Sequence, residues 1–235
     1  MGNNTIQTTQ NKFGFYASIS TVVLTIVTFA IAILTPPLSG PFCQSNCFAY
    51  PFLDIASRFP RDYIWMYPAI LLMLSYIILS VCIHYFAPAE KKIYSHIGLV
   101  FALISATILI ADYFLQLSVI QPSLLNGETD GIAVLTQYNP HGIFIALEDL
   151  GYLLMSFSFL FMALVFSGSQ LEKSIRMVFM SGFVLTILSL ILISFLYGIH
   201  REYFFEVISI SINWLVFIVS GILLSRLFKK INQVA

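Results

Sequence analysis

The sequence predicts an all-α polytopic membrane protein, a bundle of six transmembrane helices with both termini in the cytoplasm. Hydrophobic residues make up 59% of the chain and charged residues only 9%, whereas a soluble domain carries roughly 25% charged residues. Six separate apolar stretches are each long enough to cross a bilayer, which takes about 20 residues. The strict apolar–polar alternation that is typical of a membrane β-barrel does not occur in the sequence.

These stretches account for most of the chain, so residues 1–235 are predicted to form one domain. Backbone groups in hydrocarbon must bond within their own segment, which makes each span a helix. The first stretch is too long for the apolar core of a signal peptide and is predicted to remain as a span. The predicted spans are about 14–35, 63–86, 95–120, 143–167, 174–198 and 204–228.

The placement of lysine and arginine predicts the orientation of the bundle. Of the 11 basic residues, Arg58, Arg61 and Arg201 fall on one side, and all the others fall on the opposite side. The more basic side of a membrane protein is normally cytoplasmic. We therefore expect a multi-pass protein of the plasma membrane, with two long loops, about 36–62 and 121–142, on the outside.

Composition and motifs argue against several classes of function. The net charge is zero and no basic run is present, so nucleic acid is not an expected partner. The motifs of serine hydrolases, zinc peptidases and phosphate-binding loops are missing. Asn126, Glu128 and Asp130 alternate as in a calcium loop, but Gln137 would stand where such a loop has a glutamate. We therefore expect neither a metal ion nor a cofactor.

Two cysteines, Cys43 and Cys47, lie four residues apart in the first outside loop. An oxidising compartment permits a disulfide between them. Two free thiols or a redox-active pair are the alternatives, although redox pairs usually have C-x-x-C spacing. The remaining cysteine, Cys82, lies towards the inner end of the second span and is expected to stay a thiol.

Acidic and amide side chains inside the spans are the strongest functional signal. A charged group at the centre of a membrane helix costs about 2.5–3.5 kcal/mol on insertion scales, and no lysine or arginine lies mid-span. Polar groups at similar depth on three helices are best satisfied by facing one another. The candidate ligand-binding residues are Asp112, Gln116, Glu148, Tyr152, Glu206, Asn213 and Trp214, and Asp149 is expected at the edge of their pocket or against a neighbouring helix.

Three segments resemble a set of six-span prokaryotic integral membrane proteins with no established activity. They are "ADYFLQLSVIQPSL", "TQYNPHGIFIALEDLGYLLMSFSFLF" and "REYFFEVISISINWLVFIVSGILLS". The resemblance covers most of the chain from the third span onward. It implies that these stretches form one unit, and it carries over no catalytic residue.

Three functions fit the acidic spans. The first is a protein that binds or senses a small amphipathic, cationic or lipid-like molecule in an outward-facing pocket. The second is an enzyme acting on a lipid-like substrate, with Asp112 and Glu148 transferring protons, Asn213 and Tyr152 orienting the substrate and Trp214 stacking on it. The third is a proton-coupled transporter. A simpler alternative leaves Glu148, Asp149 and Glu206 as interfacial acids and gives Asp112 a structural interhelical hydrogen bond. The sequence leaves the ligand and the oligomeric state open.

Overall fold

A computed structural model describes residues 2–234 of the protein, with side chains for residues 9–233, and most of these residues are helical. No strand occurs in that range, as the all-α prediction requires. The helices are α1 (Gly2–Leu34), α2 (Met66–Phe86), α3 (Lys92–Leu115), α4 (Gln121–Leu125), α5 (Ile132–Leu135), α6 (Ile143–Ala163), α7 (Gln170–Tyr197) and α8 (Glu202–Val234).

Six helical segments are long and apolar enough to cross a membrane, which confirms the predicted number. The third is longer than predicted because α3 continues through a π-helical turn, Gln116–Ile120, into α4. The fourth ends at Ala163 rather than near residue 167. The six segments are Thr9–Leu34, Arg61–Phe86, Ala89–Leu125, Ile143–Ala163, Gln170–His200 and Glu202–Gln233.

The six long helices pack in a ring that follows chain order and closes where α8 meets α1. Contacts between α6 and α8 cross the ring and leave α7 at its periphery. Aromatic rings fill the centre: Tyr76 of α2 packs on Phe217 of α8 at 4.9 Å between centroids, and Phe159 of α6 lies 5.5 Å from Phe217. The two long connections, 35–65 and 126–142, lie at the same end of the bundle, which we call the loop end.

A row of hydroxyl groups on α1 faces the interior of the bundle. Ser18, Thr21, Thr25 and Thr28 are all buried. Each donates a hydrogen bond to the carbonyl four residues earlier in its own helix, at 2.6–2.8 Å. Thr21 also bonds Ser75 of α2 at 3.0 Å. Intrahelical bonds of this kind let a helix carry hydroxyls into an apolar interior without a partner on the next helix.

The small-x-x-x-small pair Gly221 and Ser225 lies on α8. A Cβ atom at Gly221 would lie 2.5 Å from Cγ2 of Val22 and 3.1 Å from the carbonyl oxygen of Ser18, both on α1. Small residues allow helix backbones to approach closely. Gly221 therefore serves packing within the chain, between the helices that close the ring.

The sulfurs of Cys43 and Cys47 are at bonding distance in the first long connection, as the sequence predicts, and Cys82 is a free thiol. In protein isolated without reductant, we expect iodoacetamide to label Cys82 alone, after unfolding. Reduction should then add two labelled sites at Cys43 and Cys47, which intact and peptide mass spectrometry would count. Labelling of Cys43 and Cys47 before reduction would contradict the bridge.

Candidate functional site

Two carboxyl groups on different helices face each other near the loop end. Glu148 of α6 and Glu206 of α8 lie close enough to interact directly through their carboxyls. Glu148 is only 1% exposed, and the Oε2 atoms of both glutamates are buried without a hydrogen-bond partner among the described residues. The salt bridges within residues 9–233 involve Asp62 and Glu202 and neither member of this pair. The pair therefore lacks a counter-charge in the described part of the chain.

A chain of hydrogen bonds ends on Glu148. The hydroxyl of Tyr113 donates to Oε1 of Glu148 at 2.8 Å and lies 2.9 Å from the hydroxyl of Tyr152. The indole N–H of Trp214 donates to that Tyr152 oxygen at 3.2 Å. Tyr113 has one hydroxyl proton and gives it to Glu148, so Tyr152 must be the donor to Tyr113. The chain therefore runs from Trp214 to Tyr152, from Tyr152 to Tyr113, and from Tyr113 to Glu148. Glu148 is thus held as an acceptor at Oε1.

Helix geometry explains how these groups meet. Glu148 and Tyr152 are one turn apart on α6 and therefore project from the same face. That face meets α3, which carries Tyr113, and α8, which carries Glu206 and Trp214. The sequence places Glu148, Tyr152 and Trp214 among the candidates, but Tyr113 was missed. Its position directly after Asp112 was the available signal.

The remaining candidates have separate roles. Asp112 is buried within electrostatic reach of Glu148, but its side chain makes no hydrogen bond within the described residues, and its Oδ2 atom is buried without a partner. The amide of Asn213 donates to the carbonyl of Ser209 in its own helix at 2.7 Å. Gln116 lies away from the pair. It donates to the carbonyl of Leu135 at 2.6 Å and accepts from the backbone of Gln137.

A cavity of about 470 Å³ lies beside the carboxyl pair, between α1 and α8 at the loop end. Glu206 and Trp214 form part of its wall. Glu148 and Tyr152 lie one layer behind the wall, in contact with those two residues. Four of the predicted candidates are therefore brought together: Glu206 and Trp214 line the cavity, and Glu148 and Tyr152 form a buried hydrogen-bonded layer behind them.

The cavity wall is polar at one part and apolar over most of its area. Its polar residues include Glu206, Tyr203, Ser39 and Gln137, and its apolar residues include Phe29, Ile33, Trp65, Phe144, Val207 and Ile210. Ile33 of α1 is 69% exposed and Val207 of α8 is 43% exposed. Because both line the cavity and also face the exterior, the cavity reaches the side of the bundle between α1 and α8.

An ion pair in the loops, which the sequence analysis missed, closes the cavity at the loop end. Asp62 is buried and accepts two hydrogen bonds from the Arg58 guanidinium, at 2.8 and 3.0 Å. The hydroxyl of Tyr138, in the second long connection, also donates to Asp62 at 2.8 Å. The hydrogen bonds that Arg58 donates to Asp62 raise the pKa of Arg58. Burial raises the pKa of Tyr138, which therefore remains a donor. The four-residue spacing of Arg58 and Asp62 was the available signal.

Asp149 lies in a second cavity, of about 410 Å³, between α6, α7 and α8. Arg201 lies within electrostatic reach of it, and His141 and Glu202 of the same wall approach to 3.5 Å. Asp149 therefore projects away from the first cavity although it follows Glu148 directly. This is the expected result of a rotation of about 100° per helical residue.

Comparisons of the chain with protein-family models, with curated proteins and with solved structures found no match. Among the described residues, no group of three or more histidine, cysteine, aspartate or glutamate side chains is arranged to hold a metal ion. What the site can do is therefore argued from its own geometry.

Proposed function

We propose that the protein is a multi-pass protein of the plasma membrane, with both termini in the cytoplasm and the loop end outside. The exposed apolar residues support insertion in a bilayer. Phe195 of α7 is 86% exposed and Leu34 of α1 is 77% exposed, and apolar surface on this scale normally marks contact with a membrane or another protein. The distribution of lysine and arginine supports the orientation.

Reporter fusions would test this orientation. Because the basic residues concentrate at the end away from the two long connections, we expect a cytoplasm-active reporter fused after residue 235 to be active. An export-dependent reporter inserted near Gly127 should also be active. Exchanging the two reporters provides the control. An active export-dependent reporter at the C-terminus would reverse the orientation and place the cavity on the cytoplasmic side.

We propose that the cavity between α1 and α8 binds a small amphipathic molecule, either to sense it or to hold it. The observation that carries this proposal is the cavity wall itself, in which the carboxyl of Glu206 stands beside a mainly apolar surface. Pockets that bind small molecules combine a largely apolar lining with a few polar groups that orient the ligand. The opening between Ile33 and Val207 would let such a molecule enter from the bilayer.

The same arrangement favours binding over acid–base catalysis by Asp112 and Glu148. A general acid or base must come within hydrogen-bond reach of the reacting group. Neither residue lines the cavity: Glu148 lies behind Glu206 and Trp214, and Asp112 is buried outside the wall. A ligand in the cavity would touch Glu206 first.

The two tryptophans of the chain, Trp65 and Trp214, both line the cavity and provide a direct test of binding. The protein would be reconstituted in lipid nanodiscs and titrated with a bromine-tipped fatty alcohol, because bromine quenches tryptophan fluorescence at contact. Both indoles are at most 9% exposed, so bromine in the surrounding lipid should reach them poorly. We expect saturable quenching, and quenching that only rises linearly with the probe would contradict a site.

A substitution that fills the cavity should abolish this quenching. Ala32 lines the cavity, whereas Ala30, on the same helix, is exposed on another face. Because a phenylalanine ring at position 32 would occupy the ligand's space, we expect Ala32→Phe to weaken binding at least tenfold, a change of about 1.4 kcal/mol. The matched control Ala30→Phe should bind as the wild type does. Equal binding by both variants would place the ligand elsewhere.

A further inference from the structure

The carboxyl pair raises the question of how its charge is balanced. Two carboxylates this close together in a largely buried site cannot both ionise readily, because like charges repel and burial limits their solvation. One proton shared by Glu148 and Glu206 relieves this repulsion. Such a pair loses its proton more readily when another positive charge takes the proton's place.

No other cation in the surroundings fills that role. Asp112 and Tyr113 of α3, Tyr152 of α6 and Tyr203 of α8 lie within electrostatic reach of the pair, and Asp62 stands across the cavity. Asp149 projects into the second cavity but is also within electrostatic reach. The arginines at the loop end are engaged elsewhere. Arg58 and Arg61 pair with Asp62, and Arg201 lies beside Asp149 in the second cavity.

The two glutamates differ in their hydrogen bonding. Oε1 of Glu148 receives the end of the chain that runs from Trp214 through Tyr152 and Tyr113. Hydrogen bonds donated to a carboxylate stabilise its charged form. Glu206 receives no comparable donor among the described residues and stands at the cavity wall. Glu148 is therefore the better anion of the pair, and Glu206 holds the proton.

Apart from the shared proton, the Oε2 atoms of the two glutamates have no hydrogen-bond partner among the described residues. The Glu148 carboxyl faces Glu206, which stands at the cavity wall. Buried carboxylate oxygens normally have partners. A cationic group placed against Glu206 would serve both carboxyls.

We infer that the ligand of this cavity is a cationic amphiphile, with an ammonium head and an apolar chain, and that its binding releases one proton from the Glu148–Glu206 pair. This inference rests on the proposed binding function of the cavity. The ammonium head brings one positive charge to Glu206, and the proton that Glu206 held passes to bulk water. The charge of the site is the same before and after, so the exchange avoids leaving two unpaired carboxylates. The apolar chain would lie along Phe29, Ile33 and Ile210.

Three bromine-tipped amphiphiles of equal chain length test the inference: a quaternary ammonium, an alcohol and a sulfonate. Each would be titrated into the nanodisc-embedded protein while tryptophan fluorescence is recorded, at mildly acidic and mildly alkaline pH. We expect the ammonium compound to bind most tightly. Its affinity should rise with pH, approaching tenfold per pH unit where one proton is exchanged for each ligand. Affinity for the alcohol should change much less.

Calorimetry counts the released proton directly. The ammonium compound would be titrated in two buffers with different ionisation enthalpies. If about one proton is released for each ligand bound, the two binding heats should differ by the difference between the ionisation enthalpies of the buffers. The variant Glu206→Gln should release no proton, and its affinity for the ammonium compound should fall at least tenfold. It should still bind the alcohol, which would also show that the variant is folded. Glu202→Gln, the same change on the same helix but in the second cavity, should behave as the wild type does.

The outcomes separate this inference from the proposed function. If the alcohol and the ammonium compound bind equally and neither depends on pH, the cavity binds amphiphiles but the inference is wrong. Tighter binding of the sulfonate would also overturn it. If none of the three quenches saturably, the proposed binding function itself fails. Should Glu206→Gln not fold, the pH and buffer measurements on the wild-type protein still decide the question.

Discussion

Replacing Asp62 with alanine is expected to lower the free energy of unfolding by about 3 kcal/mol. Asp62 is buried and holds the Arg58 guanidinium and the Tyr138 hydroxyl. Removing one partner of a buried ion pair typically costs about 3–5 kcal/mol, because the other charge is left uncompensated. The Arg58 side chain is 25% exposed and can recover some hydration, which puts the expected loss at the lower end of that range. A lower thermal unfolding midpoint in detergent would show the effect.

Asp54 provides the matched control for this change. It lies in the same connection, is exposed, and its carboxylate has no partner among the described side chains. Asp54→Ala should therefore leave the midpoint nearly unchanged. A double variant, Arg58→Ala with Asp62→Ala, should be less destabilised than the sum of the two single variants, because neither charge remains unpaired. Strict additivity would show that the pair contributes little.

Replacing Gly221 with valine is the second large change, with an expected loss of about 2 kcal/mol. The new side chain would meet Val22 and the backbone of Ser18 on α1. Overfilling a packed interior typically costs about 1–3 kcal/mol, and a backbone oxygen cannot move aside as a side chain can. Because α1 and α8 also enclose the cavity, probe quenching should weaken in the same variant.

A graded series makes this prediction specific. Gly221→Ala should destabilise less than Gly221→Val, since it adds the Cβ atom alone. Ala30→Val, on an exposed face of α1, should leave the unfolding midpoint unchanged. If Gly221→Val unfolds at the wild-type temperature, the close approach of α1 and α8 is not needed for stability.

The six long helices could be predicted from the sequence because each one is a separate run of apolar residues. Length and hydrophobicity determine whether a segment can cross a membrane, so the number of helices could be read without knowing how they pack. The extension of α3 beyond residue 120 was missed. Gln121 and Pro122 look like the start of a loop, yet the helix continues through them to Leu125, and the bond from Gln116 to Leu135 ties it to the second long connection.

The site was predictable only in part, because spacing along one helix says little about rotation relative to another. Periodicity placed Glu148 and Tyr152 on one face, and that face does meet Glu206 and Trp214. It could not show that Glu206 lines the cavity while Glu148 lies behind it. The hydrogen bond between Tyr138 and Asp62 joins two residues of the cavity wall that are 76 positions apart in the sequence. Local sequence patterns carry no information about such contacts.

The hydroxyl row on α1 has a mechanical consequence. From Gly14 to Leu34 the hydroxyls are bonded within α1 or to α2, and the described side chains form no hydrogen bond between this stretch and α8. Sliding or tilting of α1 against α8 would therefore break no hydrogen bond between them and would be resisted by close packing, such as that of Val22 against Gly221 and of Phe29 against Trp214. Shape complementarity, and not polar contact, therefore sets the separation of the two helices that enclose the cavity.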